Sequence, residues 1–400
     1  MRILIVTQYF WPENFKINDL ALGLKEKGHE VTVLTAIPNY PKGKFYENYS
    51  FWKNNDEEWN GIKIYRSKIL SRRTGGLKLM VNYMSFMFFC SIKVFSIKEK
   101  FDKIFVYQPS PITVGFPAIV ASKKMKIPFY FWVQDLWPES LAAAGGIKNK
   151  YLISFFNKLT KIVYNNAKYI LIQSKGFTEY IENQGEYSNK IIYYPNTAES
   201  FYKPIKQDLA LSKNIPKGFN LIFAGNLGEA QGISTLIKAA EIVKNQGIEI
   251  NWIFLGDGRQ KEFYISEIKN KNLEENFFFL GSHPAEMMPK YFAFADALIV
   301  SLKKNKIFSL TIPSKIQSYL ASGKPILGSL EGEGAKIILE SNAGFVSNPE
   351  NAEMFAQNLI EFYKLPEESK KEMTDNAIVY FKKEFEREML IDRLLEILNK

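Results

Sequence analysis

Three consecutive residues, Pro313-Ser314-Lys315, stand at the head of an apolar periodicity carried by Ile316, Tyr319 and Leu320. The pattern predicts a helix entered at Pro313, whose missing N–H falls where no intrahelical acceptor exists. Gly323 predicts its left-handed cap, and Lys324-Pro325 cannot continue it, so residues 325–327 read as a buried strand. The first turn of such a helix offers unpaired backbone N–H groups and a partial positive charge. With the Ser314 hydroxyl and the Lys315 ammonium it makes a place for an anion such as a phosphate. The competing reading is an ordinary capped helix with a solvated lysine. A second candidate is Asp135, which follows the apolar run of residues 129–133 and precedes Pro138. There it acts either as a helix cap or as a carboxylate facing a ligand.

The elements that must position these groups alternate. Residues 3–6 read as a buried strand, 8–15 as a loop, Ile17, Leu20, Ala21 and Leu24 as a helix face closed by Gly28, and 31–34 as the next strand. Strand, helix, glycine stop and strand make a βαβ unit and predict a parallel sheet. The loop after the first strand lacks a Gly-x-Gly-x-x-Gly, so a dinucleotide site is not supported. Strands at 104–107, 129–133 and 169–173 and helices at 112–121 and 151–164 continue the scheme. A second series repeats it, with strands at 221–224, 252–255, 277–280, 297–301 and 325–327 and a helix near 234–244. The expected organisation is an N-terminal domain of residues 1–198, a polar, proline-bearing linker at 199–217, a C-terminal domain at 218–380, and an amphipathic helix within 381–400 that returns to the first domain. Two doubly wound halves place a cleft between them.

Residues 77–89 differ from the other helices, being apolar nearly all round. That means either burial or contact with lipid. Lys78 and Asn82 make it a poor spanning helix, and Arg72, Arg73 and Lys78 beside it suit an anionic bilayer surface. Hydrophobic residues are 46% of the chain and charged residues 24%, which are globular values. One cysteine, Cys90, excludes an internal disulfide framework. Two histidines, no Cys/His cluster and no Asp-x-Asp pair argue against zinc and against carboxylate-bound magnesium. The net charge of +10 points to a polyanion, an anionic membrane face or a phosphorylated substrate. No helix-turn-helix, zinc-finger or ribonucleoprotein motif supports nucleic-acid binding. No signal peptide opens the chain, and a cytoplasmic setting is expected.

Six stretches in order resemble one family: residues 9–14 (Tyr-Phe-Trp-Pro-Glu-Asn), 28–33, 134–140 (Gln-Asp-Leu-Trp-Pro-Glu-Ser), 223–232 (Phe-Ala-Gly-Asn-Leu-Gly-Glu-Ala-Gln-Gly), 255–258 and 311–328. The chain resembles the retaining nucleotide-sugar glycosyltransferases of family 4. Its nearer likeness is to the branch that builds bacterial O-antigen and capsule repeat units, often from N-acetylated deoxysugars such as N-acetyl-L-fucosamine. The resemblance implies the α/β GT-B fold, two Rossmann-like doubly wound parallel-sheet domains. It implies a UDP-sugar donor, a polyprenyl-diphosphate-linked saccharide acceptor, work at the inner face of the cell membrane, and no cofactor or metal. The chain departs from the wider family where an Arg and a Lys usually grip the donor diphosphate, since those places hold Asn226 and Gln231. The usual pair of glutamates is Ser309 and Gln317, and the usual His before Asp135 is Gln134.

Glycosyl transfer builds negative charge on the departing phosphate, and without a metal the protein must supply positive potential there. Three sources are expected: backbone N–H groups of residues 228–232, Lys315, and Arg259. Gly225, Gly232, Ser309, Thr311 and Ser314 complete the donor side. Gln317 would bridge ribose hydroxyls, its amide both donating and accepting. His283 lies near where the nucleotide base is held. Asp135, with Glu139 behind it, would orient a hydroxyl or stabilise the oxocarbenium-like centre. Glu13, Asn14 and Lys16 on the first loop, with Asn39 and Tyr40 after the second strand, would contact the acceptor or donor phosphate. Two other readings remain open at this point: a UDP-sugar epimerase of the same architecture, against which the scarcity of histidine argues, and a polyanion binder relying on net charge alone.

Overall fold

The computed structural model describes residues 1–41, 43–72, 76–139 and 149–400, with only the backbone for Gly76 and Leu77. Arg73 and the helix expected to continue past Pro138 therefore fall outside the described residues. The chain divides into two units, Met1–Pro195 with Glu388–Lys400, and Asn196–Arg387.

The first unit is built on an eight-stranded sheet, β1 (Arg2–Val6), β2 (Glu30–Ala36), β3 (Glu57–Trp59), β4 (Ile62–Ser67), β5 (Lys103–Gln108), β6 (Phe129–Val133), β7 (Tyr169–Ile172) and β8 (Ile191–Tyr193). Its order is β3-β4-β2-β1-β5-β6-β7-β8, parallel throughout except that β3 runs antiparallel to β4. The apolar runs are buried on both faces, as a sheet flanked by helices requires. Strand order reverses beside β1, whose Ile5 pairs with Val33 on one side and Phe105 on the other. Loops leaving β1 and β5 therefore part at a switch point, where open α/β sheets bind ligands. The β3–β4 hairpin was absent from the sequence reading. Its signal is Asn60-Gly61, with φ of 49° and 70°, a pair that favours a tight hairpin turn.

The second unit carries six parallel strands, β9 (Asn220–Ala224), β10 (Asn251–Leu255), β11 (Phe277–Gly281), β12 (Ala297–Ser301), β13 (Ile326–Ser329) and β14 (Gly344–Ser347), in the order β11-β10-β9-β12-β13-β14. Its switch point lies between β9 and β12.

Two boundaries differ from expectation. Residues 199–217 do not form a free linker. Tyr202 stacks on Phe292 at 6.1 Å, Ile215 is buried in the core of the second unit, and Asp208 pairs with Lys290 at 3.2 Å. Nor is the tail one helix. Glu367–Glu384 and Arg387–Asn399 are separate, interrupted at Phe385, which is buried in the second unit's core and whose carbonyl accepts from Thr197 Oγ1 at 2.6 Å. The last helix places Leu390, Ile391, Leu394, Ile397 and Leu398 in the core of the first unit. There the hydroxyls of Tyr194 and Tyr130 donate to the Leu390 and Leu398 carbonyls at 3.0 and 2.9 Å.

Candidate functional site

In the second unit the loops leaving β9 and β10 lie backbone on backbone. Leu227 N–H donates to Asp257 O at 2.9 Å and Gln260 N–H to Leu227 O at 3.1 Å. A Cβ on Gly256 would stand 1.9 Å from Gly225 O, and one on Gly258 2.5 Å from the Leu227 carbonyl, so the glycines permit the approach. Gly225 has φ of 147° and lies directly over a lysine side chain, its would-be Cβ 2.7 Å from Lys315 Cε.

Lys315 comes from the predicted helix, Ser314–Ala321, which begins after Pro313 and ends at Gly323 with φ of 61°. Ile316, Tyr319 and Leu320 bury its apolar face, and Tyr319 Oη accepts the Ala224 N–H at 3.2 Å, pinning the helix to β9. The Lys315 ammonium lies 3.7 Å from the centre of the Phe223 ring and donates to Gln231 Oε1 at 2.8 Å. Among the described residues no carboxylate pairs with it. Although the residue keeps some exposure, its ammonium is enclosed by ring and backbone, and desolvation lowers its pKa to about 7. An enclosed cation with one neutral hydrogen-bond partner, at a helix start, is a site that gains from an anion.

The other expected donor-side residues separate into groups. Asn226, Ser314 and Arg259 are exposed, and Arg259 has no ion pair among the described residues. Gln231 and Gly232 already donate their N–H groups to the Gly228 and Glu229 carbonyls, so the helix start at 228–232 offers fewer amides than expected. The helix itself begins at Ile233, after Gly232 in the left-handed region with φ of 60°. Ser309 and Thr311 hydroxyls donate back to Lys306 O and Ile307 O, each at 2.9 Å, leaving their oxygens able to accept. His283 is exposed, its ring tilted 36° against that of Tyr291 at 4.7 Å, with Nε2 2.9 Å from Leu280 O. Gln317 differs most from expectation. It is fully buried, and with its amide nitrogen turned inward it donates to Pro313 O and Ser314 O at 3.1 Å each. It locks the helix entry and presents nothing to a ribose. Two buried hydroxyls that the sequence reading missed, Ser301 and Ser329, are paired in register at the carboxyl ends of β12 and β13 and have no hydrogen-bond partner among the described residues.

In the first unit Glu13 and Asn39 are buried and act as braces, not as surface contacts. Glu13 Oε1 accepts the N–H groups of Asn39 and Tyr40 at 2.7 Å each, tying the loop after β1 to the loop after β2. Burial outweighs those bonds and raises the Glu13 pKa to about 7. Asn39 Oδ1 in turn accepts from Arg72 N at 3.0 Å. Tyr40 packs on Tyr9 and Phe15, with the Arg72 guanidinium 5.1 Å from its ring. Asn14 is exposed and Lys16 half-buried. Asp135 is half-buried beside Tyr83, and desolvation raises its pKa to about 7. Tyr83 Oη is 3.5 Å from Ser110 Oγ and adjoins Tyr9, whose hydroxyl accepts from Arg72 Nη1 at 3.3 Å. Glu139 lies instead by the buried Tyr164. Sequence reasoning missed Tyr9 and Tyr83 and read Arg72 only as part of a basic membrane flank. Tyr9 stood within the first quoted motif, but Tyr83 was hidden inside an apolar helix.

The glycosyl transferases group 1 model matches residues 205–380, and the glycosyl transferase 4-like domain model matches residues 15–197. The chain is a family-4-like GT-B glycosyltransferase. This glycosyltransferase is 26% identical to WbjE of Pseudomonas aeruginosa over 75% of its own length and 74% of the relative's. It is 24% identical to WcaI of Escherichia coli, named for colanic acid biosynthesis, over 81% and 82%. Over 37% of its length it is 30% identical to a Campylobacter jejuni N-acetylgalactosaminyltransferase acting on a diphospho-undecaprenol-linked saccharide. Its fold is shared with sucrose-phosphate synthase of Thermosynechococcus elongatus (TM-score 0.75, 14% identity, covering 100% and 98% of the two chains). It is shared also with Anabaena HepE, solved with UDP and glucose (TM-score 0.70, 16% identity, covering 100% of both).

Proposed function

We propose that this glycosyltransferase moves a sugar from a UDP-sugar to a saccharide carried on a polyprenyl diphosphate, in the building of a bacterial surface polysaccharide at the inner face of the cell membrane. The observation that carries the reading is the Lys315 ammonium, enclosed at a helix start beneath Gly225 with no carboxylate among the described residues to neutralise it. A diphosphate supplies the missing charge. As the bond from sugar carbon to phosphate breaks, Lys315, the first-turn amides of its helix and exposed Arg259 stabilise the growing charge without a metal ion. Asp135 serves the reacting sugar, and the anomeric configuration is retained. The donor is an N-acetylated deoxyhexose such as N-acetyl-L-fucosamine. The lipid-linked acceptor is supported by the Campylobacter relative, and the polysaccharide role by the names of the others.

The test is transfer from UDP-sugars differing at one carbon each, with and without a chelator. Transfer to a lipid-diphosphate acceptor that persists in the chelator supports the scheme. Loss on chelation with recovery on adding magnesium contradicts its metal-free step.

A further inference from the structure

The helix Gly76–Lys93 is apolar on both sides, with Phe86 in the core beneath it and two polar residues among its buried side chains. Its inward side chains include Asn82, Tyr83, Ser85 and Cys90, all buried. Its outward stripe is apolar, with Val81 45%, Phe88 59% and Ile92 53% exposed, and Phe95 just beyond its end 66% exposed. Spacings of seven, four and three residues put these on one line of a helix surface. Hydrogen bonds hold the helix in this rotation. Asn82 Nδ2 donates to Leu70 O at 2.5 Å, Asn82 Oδ1 accepts from Gln8 Nε2 at 3.0 Å, and Ser85 Oγ accepts the Leu70 N–H at 2.9 Å. Turning the apolar stripe inward would strand these polar groups, so its exposure is built in.

Aromatic side chains extend the stripe sideways. Phe88 meets Phe89 at 5.3 Å, Phe89 meets Phe51 at 5.6 Å, and Phe51 meets Trp52, which is 85% exposed. Lysines stand at its margin. Lys68 Nζ is 5.0 Å from the Phe51 ring and 5.5 Å from Trp52, Lys124 Nζ is 5.9 Å from Phe95, and Lys78, Lys98 and Lys100 are exposed. Two acids of this region are paired, Glu99 with Lys63 and Asp56 with Lys93.

We infer that this stripe, with its aromatic flank and lysine margin, docks the enzyme in the interfacial plane of an anionic lipid bilayer. The inference rests on the reading above, in which the acceptor is carried in lipid. Charge complementarity selects the occupant. A second copy laid on the same face would bring lysines against lysines, whereas anionic headgroups neutralise them while the acyl boundary takes Phe88, Ile92 and Trp52. The segment Lys78–Ser96 is long and apolar enough to cross a membrane. Its hydrogen-bonded inner face belongs to the first unit, so it lies along the surface instead.

The test is co-sedimentation of the full chain with phosphatidylglycerol/phosphatidylethanolamine vesicles against phosphatidylcholine vesicles. The anionic vesicles should carry down the wild-type protein, less so as salt rises, with a blue shift of Trp52 emission that Trp52→Phe abolishes. The triple variant Val81→Ser, Phe88→Ser, Ile92→Ser should lose about tenfold or more of that partition while keeping its melting temperature and UDP affinity. Should the triple variant misfold, Lys68→Glu with Lys98→Glu and Lys100→Glu should give the same loss. Wild-type protein that stays in the supernatant, or variants that partition as well as wild type, would overturn the inference. So would a triple variant that changes only the oligomeric state, which would make the face an interface between copies. UDP affinity measured on the same samples separates the two readings. UDP binding without vesicle binding overturns docking alone, and vesicle binding without UDP binding overturns the transferase site alone.

Discussion

If the Lys315 ammonium holds the donor diphosphate, UDP binding must take up a proton. The enclosed lysine has a pKa of about 7 in the unliganded protein because Phe223 and the Gly225 backbone strip its water without supplying an opposite charge. A diphosphate beside it favours the charged form and pushes the pKa back up. At pH 8 the free group is charged in about one molecule in ten, so binding takes up nearly a full proton there and about half a proton at pH 7. With a bound pKa above about 10, UDP affinity should fall about fiftyfold between pH 7 and pH 9. Below pH 7 it should change at most about twofold from this group. The phosphate's own titration, near pH 6, lies outside the window. Calorimetry in buffers of different ionisation enthalpy counts the proton directly. Lys315→Met should abolish both the uptake and the slope above pH 7. It should also stabilise the unliganded fold. The folded pKa lies below the unfolded value of about 10.5, so the unfolded chain binds more protons between pH 7 and 10.5 and stability rises with pH across that window. At pH 7 and below the enclosed cation costs on the order of 4 kcal/mol, less whatever its residual solvent contact screens. A wild-type UDP affinity that is flat from pH 7 to 9, or a Lys315→Met variant with the same slope, would refute the reasoning.

Gly225→Ala should cost UDP affinity at least about tenfold, because the new methyl meets Lys315 Cε at 2.7 Å on a backbone with φ of 147°; titration calorimetry checks it. For Glu13 the folded pKa of about 7 is above the unfolded value of 4.5, so the folded chain holds the extra proton and stability falls as pH rises from about 4.5 to 7. Glu13→Gln keeps an oxygen for the Asn39 and Tyr40 amides and should flatten that limb in denaturant melts by about 1–3 kcal/mol; a limb unchanged in the variant would show that Glu13 does not cause it. Asp135→Asn should lower kcat about a hundredfold with UDP affinity unchanged and remove a kinetic limb near pH 7; full activity in the variant would take Asp135 out of the chemistry.

The parallel strands and the abrupt helix at 314–321 were legible in the sequence because their signals are local. A strand buried on both faces is a continuous apolar run, and a helix start is a proline followed by 3.6-residue periodicity. Where the strands order themselves, and so which loops meet at each switch point, depends on pairings such as Ile5 with Phe105, which no local pattern encodes. The same limit explains the misplaced roles. Glu13 is a polar type on a plausible loop and Gln317 one near a plausible helix start, yet one braces residues 39 and 40 and the other its own helix entry, with no exposure left for a ligand. Phe385 lies inside the single tail helix expected within 381–400, but it is buried in the second unit and the helix is interrupted there, while the last helix packs in the first.

By itself the sequence determined that two βαβ series exist and that Lys315 stands on the first turn of a helix, since chain stereochemistry and residue size act over a few neighbours. Only the tertiary structure decided that this lysine is enclosed by Phe223, Gly225 and Gln231, contributed from about ninety residues upstream, and so has the lowered pKa that makes it seek an anion. Desolvation is a property of everything packed around a group, and distant segments supply most of that packing.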